Sequence, residues 1–128
     1  MSPAVQISVD AGAGLDALGR TGLATLTADG LRTGTNRLTE ECVAEGFARF
    51  GTALSVSSGL ETVQLRVVSR TEDLSDLLRL MFEVLTQAAF PAEVVERLRT
   101  EHLCRMRTAW SRPSELLHLG TLRGLFGD

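Results

Sequence analysis

Three short runs in which apolar and polar residues alternate constrain this chain more than any other feature. Val5, Ile7 and Val9 alternate with Gln6, Ser8 and Asp10; Leu54 and Val56 with Ser55 and Ser57; Val63, Leu65 and Val67 with Gln64 and Arg66. A period of two belongs to a strand with one face on a core and the other in water. Ser57-Ser58-Gly59 and Leu60-Glu61 join the second and third runs, which therefore read as a hairpin-like antiparallel pair. The first run stands apart, ending at Ala11-Gly12-Ala13-Gly14. These glycines read as a turn, because Asp16-Ala17-Leu18-Gly19 does not complete a Gly-x-Gly-x-x-Gly phosphate fingerprint.

Helical spacing fills the rest. A helix over about 20–33 carries Leu23, Leu26 and Leu31. The next, over about 40–50, has Thr39 as N-cap, Glu40 and Glu41 in its positive first turn, Gly51 as stop, and Val43, Phe47 and Phe50 on its inner face. Over about 72–89, Leu74, Leu77, Leu78, Met81, Phe82, Leu85 and Ala88 make a stripe broad enough to cover a sheet face. Phe90-Pro91 breaks that helix, and Pro91, suited to a first turn, starts another through Val94, Val95, Leu98, His102 or Leu103, and Met106 to Trp110. A last helix runs from Arg112-Pro113-Ser114-Glu115 to Gly124. Strand, two helices, two strands, then helices is an α+β order, with an antiparallel or mixed sheet packed against several helices.

Size and charge narrow the function. The 128 residues make one domain, burying roughly two thirds of the surface its unfolded chain exposes. Net charge is -3, and the 13 basic residues are all arginine, scattered without a cluster, which argues against a nucleic-acid partner. No apolar run approaches the roughly 18 residues of a membrane helix, and Met1-Ser2-Pro3-Ala4 lacks the marks of a secretion signal, so the expected compartment is the cytoplasm. Cys42 and Cys104, without metal-ligand spacing, read as buried reduced thiols. Glu101, His102 and Cys104, one and two apart on a helix, do not converge on one ion. His118 stands alone, and Ser57-Ser58-Gly59 has no base in a recognisable arrangement.

One stretch carries chemical information by what it lacks. Gly22-Leu23-Ala24 is followed by Thr25-Leu26-Thr27-Ala28-Asp29, and Gly34-Thr35 closes the segment. It resembles the motif helix of the insulinase/pitrilysin/mitochondrial processing peptidase family, where an inverted zinc motif, His-x-x-Glu-His, occupies those five places between a Gly-Leu-Ala opening and a Gly-Thr close. Two imidazoles four apart on one helix face grip a zinc ion, and the glutamate serves as base for its water. Thr25 is a poor ligand, Ala28 carries no base, and Asp29 alone offers one oxygen where a catalytic zinc takes about three protein ligands.

The resemblance extends over nearly the whole chain. Asp10-Ala11-Gly12 after the first strand, Phe50-Gly51 after the second helix, the Ala53-Leu54-Ser55 strand and Ala89-Phe90-Pro91 fall in the family's order. Active members carry a second signature after the Phe-Pro turn, a glutamate and, seven residues on, another that is the third zinc ligand. Those positions fall near Leu98 and Arg105, and a guanidinium repels a metal cation.

The resemblance implies that residues 1–128 are a single, partial peptidase-like half-domain: the family has a first strand ahead of Ser2-Pro3 and further strands beyond Leu125, so the chain is either a piece of a longer protein or a truncated relative whose sheet edges a partner covers. It implies no metal, no cofactor and no catalysis by the chain itself. The reading it favours is a pseudo-peptidase subunit pairing with an active zinc peptidase, or with itself, and helping to hold an extended peptide. Two others stand beside it: a purely structural subunit, like the respiratory-complex core proteins, and an active metalloendopeptidase with an atypical site. In this family peptides add a strand to a sheet edge beside the motif helix. The expected lining is the Gly22–Asp29 face and the strand ending at Gly12.

Overall fold

A computed structural model of the chain describes residues 3–127. The three alternating runs form β1 (Ala4–Val9), β2 (Ser55–Ser58) and β3 (Val63–Val68). They make one antiparallel sheet in the order β1-β3-β2, which settles the choice between antiparallel and mixed. Val5 pairs with Val67, Ile7 with Leu65 and Val9 with Val63, while Val56 on the other flank also faces Leu65. Paired residues share a face, so this register gathers the apolar side chains on one side. Gln6, Ser8, Ser55, Ser57 and Arg66 point the other way.

The apolar face is covered by α1 (Leu23–Gly30), α2 (Glu40–Ala48) and α3 (Leu74–Gln87). Ala28, Leu31, Val43, Phe47, Leu54, Val63, Leu65, Val67, Leu77, Met81 and Val84 form one buried cluster. α2 starts where expected, with Thr39 Oγ1 accepting from the Cys42 N–H at 3.2 Å, and the chain leaves it at Gly51, whose φ of 66° suits glycine. In α3 the buried line is Leu77, Met81 and Val84; Phe82, assigned to the stripe, is 54% exposed. Five residues on from Leu77, it lies well round the helix from the face that Leu77 and Met81 bury.

Helix ends differ from expectation where a tertiary partner intervenes. α1 begins at Leu23, not near 20, because the Asp16 carboxylate accepts from the Gly22 N–H at 2.8 Å and the Ala24 N–H at 3.0 Å, capping the helix from six residues upstream. Gly22 itself sits at φ 95°. A 3-10 turn over Leu31–Thr33 completes the segment before Gly34. A 3-10 turn over Thr71–Asp73 likewise precedes α3, and Ala88 leaves that helix to bridge to Thr35.

After Phe90, held at φ 46°, come α4 (Ala92–Trp110) and α5 (Pro113–Phe126). Pro91 stands just before the first turn of α4, and Pro113 is the proline that opens a helix. Leu98 is the one buried side chain of α4 among the described residues, and Leu103 and Met106 are exposed. Every described side chain of α5 is exposed. Both cysteines are free and, contrary to expectation, exposed: Cys42 lies in the first turn of α2 away from Val43 and Phe47, and Cys104 on the outer side of α4. Among the described residues no helix is long and apolar enough to cross a membrane.

Candidate functional site

α1 packs between β2 on one side and α4 on the other. Helical spacing puts Thr25 and Asp29 on one face, one turn apart. Ala28 turns inward, 1% exposed, as a member of the core cluster.

Asp29 is the centre of a charged cluster. Its Oδ2 lies 2.6 Å from His102 Nε2 and accepts from Arg105 Nη2 at 3.2 Å, while Arg32 Nη2 lies 3.7 Å from Oδ1. A carboxylate only accepts, so Nε2 of His102 carries the hydrogen in this contact. The Asp29 and His102 side chains are 18% and 17% exposed, whereas Arg105 reaches out from solvent. His102 and Arg105 are one turn apart on α4, so both reach one carboxylate across the seam between the helices.

This arrangement does not fit the zinc ion that the motif helix holds in the family's active members. Asp29 and His102 are two ligand-type side chains, but both Asp29 oxygens face arginine, and two guanidinium groups beside a cation oppose its binding. Among the described residues no three His, Cys, Asp or Glu side chains group as a metal site. Of the two positions expected after the Phe-Pro turn, Leu98 is buried and Arg105 lies on Asp29. Ser58 Oγ is buried without a hydrogen-bond partner on β2.

Of the cavities beside α1, the smallest, about 330 Å3, lies between Leu23 and Leu26 of α1 and His102, Leu103 and Met106 of α4, and two larger ones lie on its other sides. One of about 600 Å3 is walled by α2, the stretch leading into β2 and α4, with Val43, Phe47, Leu54 and Leu98 inside and Asp29 among its charged lining residues. Arg97 lies there too, donating to Glu40 Oε2 at 3.0 Å; that bond, and then the carboxylate's charge, raise the guanidinium pKa above its ordinary value. The other cavity, about 390 Å3, lies between the end of β1 and α1 and is lined by Val9, Gly12, Leu23, Ala24, Thr27 and Ala28. The expected lining thus surrounds this second cavity. The sheet edge alongside α1, however, belongs to β2 and not to the strand ending at Gly12, because β3 separates β1 from β2.

Residue-level reading missed His102. It discounted the residue for lacking convergent neighbours on its own helix, whereas its partner is 73 residues away on α1. The available signal was the one-turn spacing of His102 and Arg105, two donors on a single face.

A three-stranded antiparallel sheet under helices, with Thr25, Ala28 and Asp29 at the motif positions of α1, has the α+β architecture of a peptidase-like half-domain. The chain belongs to the Insulinase (Peptidase family M16) family, whose sequence pattern matches residues 2–125. No curated protein sequence matches it. The fold is shared with a peptidase M16 inactive domain from Pseudomonas fluorescens, at TM-score 0.84 and 21% identity over 94% of this chain and 29% of that one. A protease from Helicobacter pylori superposes at TM-score 0.84 with 16% identity, over 90% of this chain and 28% of the other. Pitrilysin does so at TM-score 0.72 with 15% identity, over 88% and 12%. The chain therefore spans less than a third of the length of these structures.

Proposed function

We propose that this chain is a non-catalytic, pseudo-peptidase unit of the M16 family, one partial half-domain that pairs with an active zinc peptidase subunit and helps to hold an extended peptide. The observation that carries the reading is the Asp29 cluster. Where the family's motif helix presents ligands and a base, this one presents Thr25, Ala28 and an aspartate engaged by His102 and Arg105. The peptide's place in this reading is the edge of β2 beside α1, where backbone pairing supplies affinity without any metal. The cavity of about 600 Å3 next to it offers an apolar floor. Free, exposed Cys42 and Cys104 suit a reducing cytoplasm, the compartment we assign.

The test is metal analysis of dialysed protein beside a fluorogenic-peptide assay, with and without an M16 relative carrying an intact His-x-x-Glu-His. No zinc and no cleavage alone, with altered cleavage by the relative when the chain is added, is the expected result. One tightly held zinc per chain with chelator-sensitive cleavage overturns it in favour of an active enzyme. A chain that leaves the relative's cleavage unchanged points to the purely structural role.

A further inference from the structure

α4 and α5 form an arm that apolar packing holds weakly. α5 packs on α4, and α4 packs on α1. Leu98 is the one buried side chain along the arm's first helix, with Val94, Val95 and His102 half-buried. The joint at its base, Ala89-Phe90-Pro91, is non-helical, and Phe90 there has φ 46°. Among the described residues, two sets of polar ties reach from α4 to other elements. Arg97 to Glu40 of α2 is half-exposed at both ends. Asp29 of α1, by contrast, takes both His102 and Arg105, and the Asp29–His102 contact is largely shielded from water, where a charge-assisted hydrogen bond is stronger than at the surface.

We propose that the Asp29 carboxylate is a latch that holds the α4–α5 arm on α1. α4 contributes Arg97, Leu98 and Glu101 to the cavity of about 600 Å3, and α2 forms its opposite side. The latch therefore sets the width of that cavity. Releasing it lets the arm swing at Ala89-Phe90-Pro91 and opens the cavity, while the sheet and α3, which share no side chain with the latch, stay folded. The latch does not depend on the peptide-holding role.

Hydrogen–deuterium exchange of the whole chain, read by mass spectrometry, tests this. Asp29→Ala removes the acceptor. Amides of residues 92–110 are expected to exchange about tenfold faster, equivalent to roughly 1.4 kcal/mol, with β3 and α3 unchanged. His102→Gln gives a smaller acceleration over the same residues and adds nothing to Asp29→Ala in the double variant, because the bond is already gone. Arg97→Ala leaves the exchange of α4 at the parent rate. Unchanged α4 exchange in Asp29→Ala overturns the latch. So does an acceleration spread equally over β3, α3 and α4, which marks general destabilisation. If Asp29→Ala does not fold, Asp29→Asn and His102→Gln carry the same measurement, since both keep the side-chain volume.

Discussion

In the layer built from the sheet, α2 and α3, Leu65, Leu77, Met81 and Val84 are all 0% exposed, whereas α4 buries only Leu98, still 7% exposed, and α5 exposes every described side chain. The first region is held by burial, which is non-directional and sums over many contacts. The second is held by little apolar burial and by a few directional bonds, most of them at the α1–α4 seam. The family's signature residues would have stood at that seam, where apolar support is thinner than in the layer. The layer and the arm should respond to different substitutions.

The largest effect belongs to the layer. Leu77→Ala empties a fully buried site between helix and sheet and should cost about 2–5 kcal/mol, measured by urea unfolding. A loss no greater than that of a surface substitution would dissolve the contrast, because it would mean the layer tolerates a hole at its centre.

Next comes the anchoring of β1. A Cβ on Gly12 would lie 2.4 Å from Leu60 O and the Glu61 carbonyl carbon, and the Gly12 N–H donates to Glu61 O at 2.9 Å. Gly12→Ala must push the β2–β3 turn away and should cost about 1–3 kcal/mol. A nearly neutral result would show that the end of β1 is free to move.

What could be seen in the sequence follows the same division. The alternation at Val5–Val9 and Val63–Val67 and the Thr39 cap are local signals, and the structure carries them through. Phe82 shows the limit of a stripe argument, since the width of a buried face depends on what covers it, and nothing within α3 states that. The cysteines were misplaced for the same reason: a residue's average burial says little on a helix whose outer side faces water. The Asp16 cap and the Asp29–His102 bond join residues that only the fold brings together, 8 and 73 positions apart at their widest. Family resemblance located the motif helix, but the replacement for its metal had to be read from geometry.

Restoring the motif probes the seam directly. Thr25→His, Ala28→Glu and Asp29→His together should still fail to take up zinc while Arg105 stands opposite, and adding Arg105→Glu should first allow uptake, followed by calorimetry. His102 sharpens the experiment, because it already lies 2.6 Å from the carboxylate at position 29. If the triple variant alone binds zinc and loses it on His102→Gln, the third ligand is His102, and position 105 is not the one that withholds the metal.

A smaller effect on stability is expected in the arm. Leu117 is 73% exposed, so Leu117→Ser should change folding stability by no more than about 0.5 kcal/mol. The edges of a three-stranded sheet and an exposed apolar helix both favour association. Sedimentation over a concentration series should therefore show self-association, weakened by this same substitution. A concentration-independent monomer would assign both surfaces to a self-contained domain.

The smallest effect should come from Arg97. It bridges α4 to α2 through Glu40 at 3.0 Å, with a longer contact of 3.9 Å to Glu101, and all three side chains are about half in water. Exposed pairs of this kind gain little, because solvent and salt screen the attraction and two flexible side chains must be held in place. The raised pKa of Arg97 does not change that, since arginine is charged at every accessible pH whether or not it is raised further. Arg97→Ala should thus leave the unfolding midpoint where it is, at low salt and at high salt alike. A clear loss at low salt that vanishes at high salt would mean that the arm is tied to α2 by surface charge. The shielded carboxylate on α1 would then lose its place as the arm's main attachment.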